Sequence, residues 1–194
     1  VYYQGKELGC IFSRSLGRHN VLNTLAAVAV GMELDLSFKT VADSLAQFEG
    51  VQRRFEIVTQ SDEIILIDDY GHHPVEIKAT LLTAKETWPD RRLVVVFQPH
   101  RYTRTKLLME NFWSAFNDAD QVLIMDIFPA GEIAIDNVHA SDIVRGAREC
   151  GHKSVKYIGS RKELNKHLAQ GLHVLAILKF RLESHKLGLE PLHA

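Results

Sequence analysis

The chain has 194 residues, enough for one large domain or for one domain with part of another. Hydrophobic residues make up 46% and charged residues 24%, an ordinary globular balance, and a formal net charge of -1 supplies no basic field for nucleic acid or anionic lipid. Its two cysteines, Cys10 and Cys150, lie far apart with no further ligand at metal spacing, which argues against a disulfide framework or zinc knuckle and fits a reducing cytoplasm.

The first stretch, VYYQGKELGCIF, alternates around Gly5 and reads as a hairpin. It has no signal-peptide core, and it starts with Val rather than Met, so a piece of a longer protein is expected. GRHNVLNTLAAVAVG predicts a helix from near Asn20 to a stop at Gly31. Its apolar run, Leu25 to Val30, is far short of the roughly 20 residues of a membrane span. SFKTVADSLAQFEG predicts a second helix capped by Ser37, with Phe38, Val41, Ala42, Leu45 and Phe48 as its buried stripe and Gly50 as its end. VQRRFE has no helical period and reads as a linker, so a domain boundary is expected there, with residues 1–53 on one side and 54–194 on the other.

Beyond the linker, short β-rich runs at 64–67, 93–97, 122–125, 155–158 and 174–178 alternate with helical patterns. Ile77, Leu81, Ala84 and Trp88 share one helical face, as do Leu108, Phe112, Ala115 and Ala119. Continuous apolar strands between amphipathic helices predict an α/β domain with a mostly parallel sheet covered on both faces. FEIVTQSDEIILI adds an antiparallel hairpin at its start.

Ligands of open parallel sheets bind beyond the carboxyl ends of the strands, and three polar clusters stand at such ends. DDYGHHP follows IILI, QPHRYTR follows LVVVF, and DIFPAGE follows VLIM. Each alone can be a polar loop; three together point to a site. Adjacent His72 and His73 diverge on regular backbone and make a poor metal pair, and no G-x-S-x-G marks a serine hydrolase. Gly71 supplies a tight turn, and Pro74 suits the first position of a helix whose amides would favour an anion. Asp68 or Asp69 can accept from ribose hydroxyls or simply cap that helix. Arg101 and Arg104, three apart, can face one side and grip a carboxylate or phosphate, or form a solvated helix end. Asn20 and Asn23, also three apart, offer the donor and acceptor that an adenine edge requires; capping would explain Asn20 alone.

GRHNVLNTLAAVAVG, GVQRRFE, DDYGHHPVEI, FQPHRYTRT and DIFPAGE together resemble the Mur ligases, specifically their L-alanine-adding branch, in order from about residue 1 to about residue 170. The resemblance implies a Rossmann-like C-terminal domain preceded by the helical end of a central ATPase domain. It implies a cytoplasmic enzyme of peptidoglycan precursor synthesis that joins L-alanine to UDP-N-acetylmuramate with ATP, through an acyl phosphate. Carried onto matching positions, it places Asn20 and Asn23 near adenine, Arg54 at the ATP phosphates or ribose, and Asp69 at the ribose. Tyr70, His72, His100, Arg101 and Arg104 would shape the alanine site. Because imidazole titrates near neutral pH, His100, and after it His72, is the candidate to take the ammonium proton.

The family's glycine-rich phosphate loop, its Mg²⁺ ligands and its UDP-binding domain have no counterpart in this sequence, so the 194 residues alone are not expected to turn over. LAILKFRLESHKLGLEPLHA also replaces the family's closing glycine-rich turn. The rival readings are a murein-peptide recycling ligase and a non-catalytic Rossmann-like binding module.

Overall fold

The computed structural model describes residues 1–169 and the strand 175–180. The chain divides into two compact units, Val1–Gln52 and Arg53–Ala194.

In the first unit, β1 (Tyr2–Tyr3) and β2 (Lys6–Glu7) close the expected antiparallel hairpin, turning through Gly5 at φ +79°. Helix α1 (Arg18–Glu33) starts earlier than expected and runs past Gly31. That glycine is buried in the helix, and a Cβ on it would stand 2.6 Å from Val41 Cγ2. The missing side chain therefore serves close approach of helix α2 (Phe38–Gln47), not a left-handed stop. The chain turns instead at Asp35, at φ +58°. Ser37 caps α2 as expected, accepting the Thr40 amide at 3.1 Å. Of the expected stripe, Val41 is buried and Phe38, Ala42 and Leu45 are half-buried, while Phe48 lies past the helix end and is exposed.

The second unit runs β3 (Glu56–Gln60), β4 (Ile64–Asp69), α3 (Pro74–Thr87), β5 (Arg92–Phe97), α4 (Tyr102–Leu107), α5 (Met109–Trp113), β6 (Gln121–Met125), α6 (Ala140–Glu149), β7 (Val155–Gly159), α7 (Arg161–Ala169) and β8 (Leu175–Phe180). Its six-stranded sheet has the order β3-β4-β8-β5-β6-β7. β3 pairs antiparallel with β4, and every other pairing is parallel. The mixed α/β, mostly parallel architecture expected from the sequence is the one observed.

Leu93–Phe97 and Val122–Met125 are buried throughout, which is why these strands read as unbroken apolar runs. Side chains alternate across the pleat. Val94, Val96, Leu123 and Met125 pack with Leu164 and Leu168 of α7 on one face. Phe97 points the other way, onto Phe112 and Phe116 with ring centroids 5.4 and 5.3 Å away. Each such fully buried side chain contributes about 1.5–3 kcal/mol. The Leu108 stripe is split: the chain bends at Leu108, between α4 and α5, and Ala115 and Ala119 are buried in turns beyond α5. Helices α5 and α6 meet where Gly146 faces the Trp113 indole.

The last strand, expected over 174–178, is β8, and it inserts between β4 and β5. Residues 181–194, which include most of the divergent closing segment, lie outside the described residues. No helix among the described residues is long and apolar enough to cross a membrane.

Candidate functional site

Strands β4, β8, β5 and β6 are mutually parallel, so their carboxyl ends share one edge of the sheet. DDYGHHP, QPHRYTR and DIFPAGE all leave from that edge. The first is separated from the second by β8, a gap of about 10 Å at the usual strand spacing. The second and third are neighbours. The candidate site is thus this edge of the sheet, with the β4 exit as one wall and the joined β5 and β6 exits as the other.

The β4 wall is built on Asp69. This carboxylate is buried, and its oxygens accept the Phe55 amide at 2.9 Å and the Gly71 amide at 2.6 Å. Burial pushes its pKa above the usual carboxylate range, against the two amides and the Arg54 charge that pull it down. Asp69 thus faces inward and ties the linker to the turn. Around it, Arg53 and Phe55 adopt left-handed backbone at φ +59° and +50°, a conformation that costs of order 1–3 kcal/mol per residue and holds Arg54 between them. The stretch that reads as a plain linker is a tight, braced turn. Both arginines lie against Tyr70, with guanidinium carbons 5.4 and 5.5 Å from the ring centroid, and Arg53 also pairs with Asp68 at 3.5 Å.

Neither aspartate caps α3. His73 does, its Nδ1 accepting the Val75 amide at 3.3 Å, and Pro74 opens the helix as expected. Glu76 reaches back to the His72 and His73 amides at 3.0 and 3.1 Å. The helix start therefore does not offer these amides to an anion, because its own side chains take them. Glu76 also meets Arg54 at 3.4 Å. Burial raises the Glu76 pKa, but the two amides, the His72 ring and Arg54 outweigh it and hold it below the usual range. His72 Nδ1 lies 3.1 Å from the Tyr70 carbonyl, which can only accept, and 3.8 Å from Glu76. Its ring meets Tyr70 edge-on at 5.6 Å.

On the other wall, His100 is buried against the Phe128 ring at 5.4 Å. The Arg101 amide donates to Phe128 O and the Phe128 amide to Pro99 O, both at 2.8 Å, so the two exits are stitched by backbone. Arg101 precedes α4 and sits at φ +72°, outside the helix, so the expected shared helical face with Arg104 does not form. Its guanidinium is half-exposed and lies 3.9 Å from Glu132, whereas Arg104 donates to His100 O at 3.4 Å. Helical spacing does not apply across a cap in a different backbone region. Beside this wall, two shallow depressions of about 460 and 400 Å³ share Tyr102, Val138 and His139.

Asn20 and Asn23 belong to the first unit. Asn20 sits inside the first turn of α1, not at its cap, and donates to Leu16 O at 2.7 Å. Asn23 is exposed and donates to Asn20 at 3.3 Å. Among the described residues no group of three His, Cys, Asp or Glu side chains is placed to hold a metal ion. Sequence reasoning missed the bracing residues Phe55, Glu76 and Glu132. Glu76 had a signal, since a glutamate three residues past a cap is half of a capping box. Glu132 had none, because its partner Thr103 is 29 residues away.

A family model, Mur ligase, glutamate ligase domain, matches residues 53–175. The UDP-N-acetylmuramate--L-alanine ligase of Geobacter sp. (strain M21) is 49% identical over 172 residues, covering 89% of this chain and 37% of the relative. The enzyme of the same name from Desulfosudis oleivorans is 47% identical over 170 residues, with 88% and 37% covered. Among solved structures, UDP-N-acetylmuramate-alanine ligase MurC of Thermotoga maritima superposes with a TM-score of 0.72 at 31% identity, over 88% of this chain and 36% of that one. A murein peptide ligase from Psychrobacter arcticus, 23% identical with a TM-score of 0.65, shares the fold. The chain therefore spans little more than a third of the length of these relatives, and with the family match over most of its second unit it belongs to the Mur ligase family.

Proposed function

We propose that this chain is part of an ATP-dependent ligase that joins L-alanine to UDP-N-acetylmuramate in cytoplasmic peptidoglycan precursor synthesis. Residues 1–53 would be the end of the central ATP-binding domain, with Asn20 and Asn23 near adenine. Residues 54–194 would form the C-terminal domain. The observation that carries the reading is the shared sheet edge, to which the strand ends bring a half-exposed arginine and two histidines. The named relatives at 49% and 47% identity support alanine as the amino acid.

In such a reaction ATP phosphorylates the muramate carboxylate, and the alanine amine attacks the acyl phosphate carbon. The amine must lose a proton, the new C–N bond forms, and phosphate leaves. Alanine offers a carboxylate, an amine and one methyl, so its affinity comes mainly from the carboxylate. Arg101 and Arg104, on the β5 wall, are the groups to receive it, and a guanidinium suits a carboxylate better than an ammonium does. His100 shapes the pocket from its buried place. His100 or His72 would take the ammonium proton, and for His72 the contact of Nδ1 with the Tyr70 carbonyl would orient the ring. Tyr70 lines the same wall. Arg54, held by Glu76 and Tyr70, would face the phosphates, and Asp69 would serve the ribose side by fixing the turn. ATP supplies the activation; these side chains supply position.

In full-length enzyme, Arg101→Ala and Arg104→Ala are each expected to raise the alanine KM about 150-fold, the equivalent of roughly 3 kcal/mol for a truncated charge pair, with the ATP and UDP-N-acetylmuramate KM values nearly unchanged. A wild-type alanine KM in both variants would move the amino-acid site elsewhere.

A further inference from the structure

The Glu132 side chain joins the β6 exit to the start of α4. It follows two consecutive left-handed residues, Ala130 at φ +52° and Gly131 at φ +85°, which turn the chain back toward the β5 wall. Its Oε2 accepts the Thr103 amide at 3.0 Å, its Oε1 accepts the Thr103 hydroxyl at 2.6 Å, and the same Oε1 lies 3.9 Å from Arg101 Nη1. Helix α4 has no cap of its own: its N-cap residue is Arg101, which makes no side-chain capping bond. Glu132 thus does from 29 residues away what a neighbouring Ser or Asp does in most helices.

From this we infer that Glu132 is a positioning residue for the amino-acid carboxylate, fixing the start of α4 and orienting the Arg101 guanidinium at the sheet edge. The inference rests on the reading in which Arg101 receives that carboxylate. The short contacts of Glu132 go to Thr103 and only its longer one to Arg101. The guanidinium, with five N–H donors in a fork and half its side chain exposed, keeps donors for substrate. Glu132 therefore orients Arg101 without saturating it. The residue also supports a strained backbone: Arg101 at φ +72° persists because Phe128 O holds its amide on one side and the capped helix holds the other.

The test uses the full-length enzyme and three variants. Glu132→Gln keeps the shape and one acceptor oxygen, so it guards against loss of folding; Arg101→Ala and the double variant Arg101→Ala/Glu132→Gln complete a cycle. Glu132→Gln is expected to raise the alanine KM about tenfold, with the ATP KM within about twofold of wild type. The double variant is expected to match Arg101→Ala alone, because residues acting through one another are not additive. A wild-type or lowered alanine KM in Glu132→Gln, beside a raised one in Arg101→Ala, overturns the inference and leaves the carboxylate reading standing. Additive effects in the double variant overturn it as well. A wild-type alanine KM in Arg101→Ala sinks the carboxylate reading itself, and the inference with it.

Discussion

Asp69, at the end of β4, accepts the backbone amide of Phe55 from 14 residues upstream at 2.9 Å, and by that bond the linker and the β4 exit are one piece of structure. Asparagine keeps the shape but turns an amino group toward one of the two amides. Asp69→Asn is expected to cost about 1–3 kcal/mol, the usual penalty for a buried donor left unpaired. Burial raises the Asp69 pKa in the folded state. An acid raised in this way stabilises the fold fully below its unfolded pKa, and that contribution is lost as pH rises through the folded pKa. The deficit of the asparagine variant relative to wild type should therefore widen as pH falls through the raised value. Urea unfolding at a series of pH values measures it, and a deficit that narrows toward acid contradicts the account.

Gly146 of α6 faces Trp113 of α5 so closely that an added Cβ would stand 2.1 Å from the indole nitrogen. Alanine favours a helix over glycine by about 1 kcal/mol, but overpacking against a rigid ring costs about 1–3 kcal/mol. Gly146→Ala is expected to be net destabilising and to shift the Trp113 fluorescence. A stability gain in chemical denaturation would show that α5 and α6 part freely.

The two asparagines of α1 separate by their bonds. Asn20 closes the first turn onto Leu16, whereas Asn23 is exposed and bonds Asn20 within the helix. Asn23→Ala should leave the melting temperature unchanged while weakening ATP in full-length enzyme, and Asn20→Ala should lower both. A stability loss in Asn23→Ala with normal ATP binding would reduce the pair to helix structure.

Arg54 is pinned between two left-handed residues, against Tyr70 and Glu76. Its side chain is half-exposed, so the guanidinium is oriented yet open to an anion that arrives with the substrate. In full-length enzyme Arg54→Ala should weaken ATP and lower turnover together, and lysine should restore only part of both because it lacks the planar fork. Unchanged ATP affinity and unchanged turnover would make Arg54 a surface charge.

Local periodicity determined much of this protein. Alternation around Gly5, the Ser37 cap, the apolar runs of β4 to β8 and the Pro74 helix start were legible because each depends on residues within one turn or one strand of each other. The long motifs at the strand exits were enough to suggest the family. What only the tertiary structure decided involves partners distant in sequence. β8 enters the sheet between β4 and β5, about 80–110 residues after them, and so sets the separation of their exits. Gly31 and Gly146 read as a stop and as nothing, yet each is a point of helix contact, because the residue that needs the space lies on another element. Arg101 and Arg104 share a spacing but not a face, since Arg101 takes its conformation from Phe128 and Glu132 of the neighbouring β6 exit. Sequence spacing sets which side chains can be neighbours on one element; long-range hydrogen bonds and packing decide which elements supply the rest of the site.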